Sequence, residues 1–472
     1  MVVYVDDFKL SGPASNLAEG WSLIRKHIKT DEPHQIGLFL GCQHTVFERF
    51  LPDSKYPVRG VEYDMEDFLR SCVDRYREIT GVTTMRRAAT PFLPEPTRPD
   101  FSTTGAVPTD EDVDDALRKL QDVIDGTTTD VGQGGTATDD ENVPQQLAPY
   151  AAKVLMKVLY AARFARFDLL RAVCVLAQQV SKWNRECDTK LYRLMCYING
   201  TFHVRMTGWI GDAIEDVTLH LFADADFAGC SKTSRSTSGA HLTLLGSRST
   251  WPLAGQSKKQ GCVSHSTPEA EIVAADHAVR TMGVPSLDLW STLFERPEAN
   301  VVFHEDNETA IIVMRQGHSP TMRHLERTHG VCLRWLAERF QCPDYQIMYE
   351  RSVLQAADIY TKAFTSLAEW VRNLRLINHL DPKLFWSGRS DGARSEMLTE
   401  HKGGVVFDYW THNPWYEQPV VGPTSAAAPA TNVTCHPTYD DNRHFDDIVP
   451  MYDLDFYATT RDDDTHDELD PS

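Results

Sequence analysis

Between residues 210 and 365, patterns typical of strands alternate with patterns typical of helices. The apolar run 217–223 predicts a strand that ends at Asp224, and the run 301–304 predicts a second strand that ends in an acidic pair before Asn307. Strands that alternate with helices favour an α/β fold, in which helices cover a sheet. This part of the chain is therefore predicted to be an α/β domain with acidic residues at the ends of its strands.

Two further acids lie in predicted helices. Ser266 and Glu269 have the spacing of a capping box, so a helix is expected to begin here and to carry Glu271 near its first turn. Residues 355–362 predict a last helix, which carries Asp358. Acids at strand ends and on helix faces can converge in one cleft.

Acidic side chains that share a cleft repel one another, and this is costly unless cations neutralise them. Hard divalent ions such as Mg²⁺ or Mn²⁺ take oxygen ligands, and two of them about 3.5–4 Å apart would stabilise the attacking water and the leaving oxygen of a phosphodiester displacement. Taken singly, each acid is better interpreted as a solvated surface residue, as most Asp and Glu are. Asp226 competes with Asp224 for the first position of the cluster.

The charge of the chain is unevenly distributed. The net charge is −20, which by itself argues against nucleic-acid binding, since proteins that bind nucleic acid usually carry a basic face. Residues 95–141 contribute −10 and residues 366–472 contribute −11, so the remaining residues together carry +1. The net charge of the chain therefore does not exclude a nucleic-acid substrate.

Composition divides the chain into five predicted segments. They are a globular N-terminal part at 1–92, an acidic disordered linker at 93–147, connecting helices at 148–204, the α/β domain at 205–365, and a mostly disordered acidic tail at 366–472 that opens with a helix around Trp370. The linker and the tail are rich in polar residues, Pro and Gly, a composition that buries too little apolar surface to fold.

The sequence carries no targeting signal that we can identify. Nothing near the N-terminus has the pattern of a signal peptide, and no stretch approaches the roughly 18 apolar residues of a membrane span. None of the ten cysteines belongs to a C-x-x-C pair. We expect an intracellular protein, in the cytoplasm or nucleus, without a membrane partner; the sequence leaves its oligomeric state open.

Six motifs within residues 224–362 resemble, in the same order, those of the ribonuclease H domain of copia-type retrotransposon Pol polyproteins. They are Asp224-Ala225-Asp226-Phe227-Ala228-Gly229, Arg235-Ser236-Thr237-Ser238-Gly239, Ser257-Lys258-Lys259-Gln260, Ser266-Thr267-Pro268-Glu269-Ala270-Glu271, Glu305-Asp306-Asn307 and Ala357-Asp358-Ile359-Tyr360-Thr361-Lys362. The resemblance implies a ribonuclease H-like five-stranded mixed sheet flanked by helices. It also implies that the catalytic, metal-binding acids are Asp224, Glu271, Asp306 and Asp358.

The activity that the resemblance implies is endonucleolytic hydrolysis of the RNA strand of RNA–DNA hybrids, with two Mg²⁺ or Mn²⁺ ions as cofactors. Selectivity would come from the shape of the duplex and from contacts to 2′-hydroxyl groups. The implied partners are the hybrid and other parts of the polyprotein. A different class of function remains open, namely a catalytically idle transposable-element relic or nucleic-acid-binding fragment, although the presence of all four acids argues against decay at the nuclease site.

The N-terminal segment resembles the end of a reverse transcriptase from the same family. Tyr4-Val5-Asp6-Asp7 is similar to the Y-V-D-D hairpin that helps to hold the polymerase metals, and Phe39-Leu40-Gly41-Cys42 follows it. The resemblance implies a truncated α+β palm and thumb remnant, in which Asp6 and Asp7 are only part of a polymerase site. Reverse transcription is therefore not expected of this chain unless its reading frame extends upstream of Met1.

Basic and histidine side chains of the α/β domain are candidates for nucleic-acid contacts. Backbone contacts position a duplex without reading its sequence, and a solvated basic face is the equally weighted alternative. The candidate phosphate contacts are Lys258, Lys259, Arg323 and Arg327. His318, His324 and His329 share one segment, which we interpret as a loop that contacts phosphates, with a metal site as the alternative.

Overall fold

A large mixed β-sheet organises the computed structural model, which describes residues 1–5, 7–51, 55–93, 147–230, 232–294 and 300–387. The predicted disordered linker, apart from residues 93 and 147, lies outside the described residues. The tail from residue 388 onward and Asp6 also lie outside the described residues.

Twelve strands occur in the described ranges. They are β1 Val2–Tyr4, β2 Asp7–Lys9, β3 Leu38–Phe39, β4 Cys42–Phe50, β5 Pro57–Asp64, β6 Arg205–Ile210, β7 Thr218–Asp226, β8 Thr237–Leu245, β9 Thr250–Lys259, β10 Val301–Glu305, β11 Tyr345–Tyr349 and β12 His379–Leu380. Residues alternate between the two faces of β7. Leu219, Leu221 and Ala223 pack into one core, and Phe222 packs into another on the opposite face.

Twelve α-helices accompany these strands within the described ranges. They are α1 Ala14–Arg25, α2 Glu66–Thr80, α3 Ala148–Phe164, α4 Leu170–Ala177, α5 Arg185–Gly200, α6 Thr267–Ala278, α7 Val284–Phe294, α8 Glu308–Gln316, α9 Leu325–His329, α10 Leu333–Gln341, α11 Leu367–Leu376 and α12 Pro382–Ser387. No helix in these ranges is both long enough and apolar enough to span a membrane.

The large sheet has the strand order β11-β10-β7-β8-β9-β6-β5-β4-β3, and β12 pairs with β6. Strands β7, β8 and β9 are antiparallel neighbours, whereas β10 is parallel to both β7 and β11. The predicted α/β class, with a mixed sheet flanked by helices, is confirmed.

The sheet is larger than the five strands predicted. Strand β6 contacts β9 through Trp209 and Thr250, and β5 pairs along β6 in turn. An unpaired strand edge exposes backbone N–H and C=O groups. Pairing with β6 covers part of this edge of β9 and extends the sheet. The predicted segments 1–92 and 205–365 therefore contribute strands to one sheet.

The packed part of the chain continues beyond the predicted boundary at residue 365. Trp370 on α11 is fully buried, and its Nε1 donates a hydrogen bond to the hydroxyl of Tyr197 at 3.1 Å. Strand β12 then pairs with β6, placing Leu380 opposite Arg205. Residues 366–387 thus belong to the packed structure, a correction to the assignment of a tail that starts at 366.

Candidate metal centre

Two of the predicted acids meet at the carboxyl ends of neighbouring parallel strands. The register of β7 and β10 pairs Phe222 with His304. Asp224 and Asp306 each follow two residues later, so both reach the same edge of the sheet. Asp224 is only 2% exposed.

Helix α6 brings the third acid to the same place. The Ser266 hydroxyl accepts a hydrogen bond from the backbone N–H of Glu269 at 3.4 Å, which confirms the predicted helix start. Glu271 lies just beyond it and is 4% exposed. One carboxylate oxygen from each of Asp224, Glu271 and Asp306 lies within 4.8 Å of the other two.

The fourth acid, Asp358, reaches the cluster through a lysine. Lys362 Nζ lies 2.7 Å from Asp358 Oδ1 and 3.4 Å from Asp224 Oδ1, so one ammonium bridges the two carboxylates. Thr361 also donates its hydroxyl to Asp224 Oδ2. Lys362 had no role in the sequence prediction, although its spacing of four residues from Asp358 was a usable signal.

The predicted last helix, which carries Asp358, is a 3₁₀-helix that spans Ala356–Tyr360. Two glycines of the sheet make room for it. A Cβ on Gly239 would lie 2.8 Å from Ala357 O, and a Cβ on Gly255 would lie 2.5 Å from the Tyr360 hydroxyl. The segment therefore lies directly against the backbone of β8 and β9.

Hydrogen bonds fasten the same 3₁₀-helix to three strands. Ser257 donates its hydroxyl to the Tyr360 carbonyl at 2.7 Å, and the Tyr360 hydroxyl lies 2.9 Å from His241 Nδ1. Gln355 Nε2 donates to the carbonyl of Ala223 at 3.0 Å, one residue before Asp224. Asp358 and Lys362 are thus fixed relative to Asp224.

Burial and mutual repulsion disturb the titration of the cluster. Burial raises the pKa of Glu271 to about 11, with further contributions from Glu305 and Asp224. Burial, followed by the nearby charge of Asp224, raises the pKa of Asp358 to about 8. Burial also raises the pKa of Asp306. Without a cation the cluster thus favours protonated carboxyls, as expected for acids that share a low-dielectric cleft.

Unpaired oxygens within the cluster fit a hard divalent ion. Glu271 Oε2 and Glu305 Oε2 are buried and have no hydrogen-bond partner among the described residues. Glu305 is fully buried and burial raises its pKa, although it was predicted to have no role beyond its place in a motif. The donors are all carboxylate oxygens, the ligand type that Mg²⁺ and Mn²⁺ prefer.

Asp226, the competitor of Asp224, contacts a different group. Its Oδ2 accepts a hydrogen bond from Arg171 on α4 at 2.9 Å, and its Oδ1 accepts one from the backbone N–H of Thr237. This ion pair joins α4 to the sheet. The geometry therefore favours Asp224 as the acid that faces Glu271 and Asp306.

The four basic candidates lie in two places. Lys258 and Lys259 end β9, next to Ser257, whose row across the sheet contains Gly239 and Asp224. They therefore lie at the same edge as the acids, with Lys258 exposed and Lys259 bonded through Nζ to Cys230 Sγ at 2.9 Å.

The other two basic candidates are exposed: Arg323 lies in the loop before α9, and Arg327 lies on α9.

In the N-terminal segment, β1 and β2 form a hairpin in which Asp7 pairs with Tyr4 and is exposed. Asp6 lies outside the described residues, so the structure places only one acid of the expected polymerase pair.

The molecule is thus an α/β protein with a buried carboxylate cluster at one edge of a mixed sheet. The chain is 26% identical over 234 residues to the Retrovirus-related Pol polyprotein from transposon TNT 1-94 of Nicotiana tabacum. The match covers 48% of this chain and 16% of that relative, so the chain spans about a sixth of the relative's length. This similarity supports an origin in a retrotransposon Pol polyprotein. No protein-family model and no solved structure matches the chain.

Proposed function

We propose that this chain is a metal-dependent nuclease of the ribonuclease H type, derived from a copia-type retrotransposon Pol polyprotein. It hydrolyses the RNA strand of RNA–DNA hybrids by endonucleolytic cleavage. The single observation that carries the proposal is the convergence of Asp224, Glu271 and Asp306 within 4.8 Å, with Asp358 joined to Asp224 through Lys362.

The strand order around the cluster supports this proposal. Strands β9, β8 and β7 form an antiparallel meander, and β10 and β11 continue it in parallel. These five strands agree with the five-stranded mixed sheet that the sequence resemblance implies. Asp224 lies on the central strand of the five, with helices α6 and α8 beginning at the same edge.

The carboxylates of Asp224, Glu271, Asp306 and Asp358 would hold two Mg²⁺ or Mn²⁺ ions. Such ions, when bound, polarise the scissile phosphate and lower the pKa of a bound water. Cation binding would displace the protons that the buried carboxyls favour, because metal ligands must be deprotonated.

Residues around the acids would position the reacting groups. Thr361 and Lys362 fix the carboxylate of Asp224, and Asn307 caps α8 by accepting from the N–H of Ala310 at 3.0 Å. This cap fixes the backbone next to Asp306. Lys258 lies at the same edge of the sheet, where its ammonium can contact a substrate phosphate and orient the duplex.

The duplex itself would be selected by shape. The wide minor groove of an A-like helix exposes 2′-hydroxyls, and these distinguish an RNA strand from DNA. We further propose that residues 1–92 derive from the end of a reverse transcriptase, with the β1–β2 hairpin as the remnant of its Y-V-D-D turn.

The test incubates each of four labelled nucleic acids with the full chain and Mg²⁺ or Mn²⁺. RNA in the RNA–DNA hybrid should be cut, whereas double-stranded RNA, double-stranded DNA and single-stranded RNA should stay intact. Binding of the hybrid without cleavage, at any divalent cation concentration, would instead support the idle nucleic-acid-binding fragment. Equal cleavage of all four substrates would contradict the proposed specificity.

A further inference from the structure

A second cluster of metal-ligand side chains surrounds Glu269, at the first turn of α6. One ligand atom from each of His265, Glu269 and His324 lies within 4.8 Å of the other two. Nε2 of His324 and Nε2 of His329 lie 3.2 and 3.3 Å from Glu269 Oε1. Three groups that commonly bind metals thus converge from two segments that are distant in the sequence, and His329 contacts the carboxylate of one of them.

Hydrogen bonding within the chain leaves this second cluster incompletely paired. The side chains of Glu269 and His329 are 2% and 1% exposed. His329 Nε2 nevertheless has no hydrogen-bond partner among the described residues, although it faces the Glu269 carboxylate. A cation bound by the ring lone pairs and the carboxylate would satisfy all four groups.

The carboxylate of Glu269 is already oriented for such a role. Its Oε2 accepts a hydrogen bond from the backbone N–H of His265 at 3.1 Å, which leaves Oε1 facing the imidazoles. The rings of His265 and His324 meet edge to face, with centroids 5.1 Å apart. Hydrogen bonds that fix a ligating group in this way are common around protein metal sites.

We propose that His265, Glu269, His324 and His329 bind one transition-metal ion of the Zn²⁺ class. Imidazole nitrogens with one carboxylate form a four-coordinate set that suits Zn²⁺, whereas Mg²⁺ prefers the oxygen-only set of the other cluster. The ion would join the start of α6, which carries Glu271, to α9. This proposal does not depend on the nuclease function, since it concerns a separate set of ligands.

The test titrates the metal-free full chain with Co²⁺ and records its visible absorption. Four-coordinate Co²⁺ absorbs strongly in the visible range, whereas the six-coordinate ion expected in an oxygen-only site absorbs weakly. We expect one equivalent of the strongly absorbing form, and we expect Zn²⁺ to displace it. A wild-type spectrum with only the weak six-coordinate bands would overturn the proposal, whatever the hybrid cleavage assay shows.

Substitutions assign the ligands. His265→Ala and His324→Ala change exposed or partly exposed side chains, and each should weaken Co²⁺ binding at least about tenfold while the circular dichroism spectrum is retained. His318→Ala, an exposed histidine of the neighbouring loop, is the matched control and should bind Co²⁺ as the wild type does. Asp224→Asn should also leave the strong bands intact. Unchanged binding in both ligand variants, or equal loss in the His318→Ala control, would contradict the assignment.

Discussion

At the scale of single residues, the buried cluster consists of side chains from four separate segments of the chain, around Asp224, Glu271, Asp306 and Asp358. Asp224 and Asp306 end strands whose apolar runs are visible in the sequence, and Glu271 follows a capping box, so their positions follow from local patterns. Glu305 joins the cluster for reasons that no local pattern contains, whereas Lys362 has a spacing of four residues from Asp358 that the sequence shows. Glu305 is fully buried at the end of β10, and Lys362 follows two residues after the 3₁₀-helix that packs on the sheet.

Glu271 makes the stability of the metal-free protein depend on pH. Burial raises its pKa to about 11, above the ordinary value of 4.5, so the folded protein keeps a proton that the unfolded chain releases. The contribution of this group to the free energy of unfolding therefore falls as the pH rises from 4.5, the pKa in the unfolded chain, to about 11, the pKa in the folded protein. In Glu271→Gln this loss is absent, and we expect the variant to be more stable than the wild type at pH 8 by about 1–2 kcal/mol.

Urea unfolding in buffer with a chelator measures this difference. The advantage of Glu271→Gln should shrink as the pH is lowered toward 5, where the unfolded chain also begins to keep the proton. A Gln variant that is less stable than the wild type at pH 8, or an advantage that does not change with pH, would show that Glu271 is not the repelled group described here.

At the scale of elements, the 3₁₀-helix Ala356–Tyr360 depends on the strand beneath it. A methyl group on Gly239 would lie 2.7 Å from Thr361 Cγ2 and 2.8 Å from the Ala357 carbonyl, so the segment would have to move. Gly239→Ala should therefore cost about 1–3 kcal/mol of stability, as overpacking commonly does, and should displace Asp358 and Lys362 from Asp224. Hybrid cleavage should fall together with stability.

The matched control is Gly261→Ala, where a Cβ meets nothing within 4 Å. This variant should unfold at the same denaturant concentration as the wild type and should keep its activity. If Gly239→Ala proved as stable and as active as Gly261→Ala, the glycine would not be what seats the 3₁₀-helix.

At the scale of the whole molecule, the continuous sheet links segments that the sequence predicted as separate domains. The strand and helix patterns gave the α/β class correctly, because they reflect local alternation and capping. The pairing of β5 with β6 and of β12 with β6 is long-range, and no local pattern specifies it. For the same reason the sequence placed the end of the packed part at residue 365 instead of beyond Trp370.

A chain of residues 205–365 should consequently be less stable than one of residues 1–387. The shorter chain lacks β5, β12 and the buried Trp370. Strand β6 would therefore keep β9 as a partner and lose its other two partners, β5 and β12. We expect a lower melting temperature and a tendency to self-associate through the open edge of β6. Equal melting temperatures for the two chains would show that the α/β domain folds without these partners.

Cleavage of an RNA–DNA hybrid is the direct test of the proposed nuclease site. The full chain is incubated with a hybrid labelled on each strand, either with Mg²⁺ or with a chelator. The Asp224→Asn variant is assayed in the same way. The matched control is Glu308→Gln, because Glu308 is an exposed acid two residues after Asp306. The proposed function predicts Mg²⁺-dependent cutting of the RNA strand alone by the wild type and Glu308→Gln, and loss of cutting in a folded Asp224→Asn protein. Full activity of Asp224→Asn, or cutting that persists in the chelator, would contradict it.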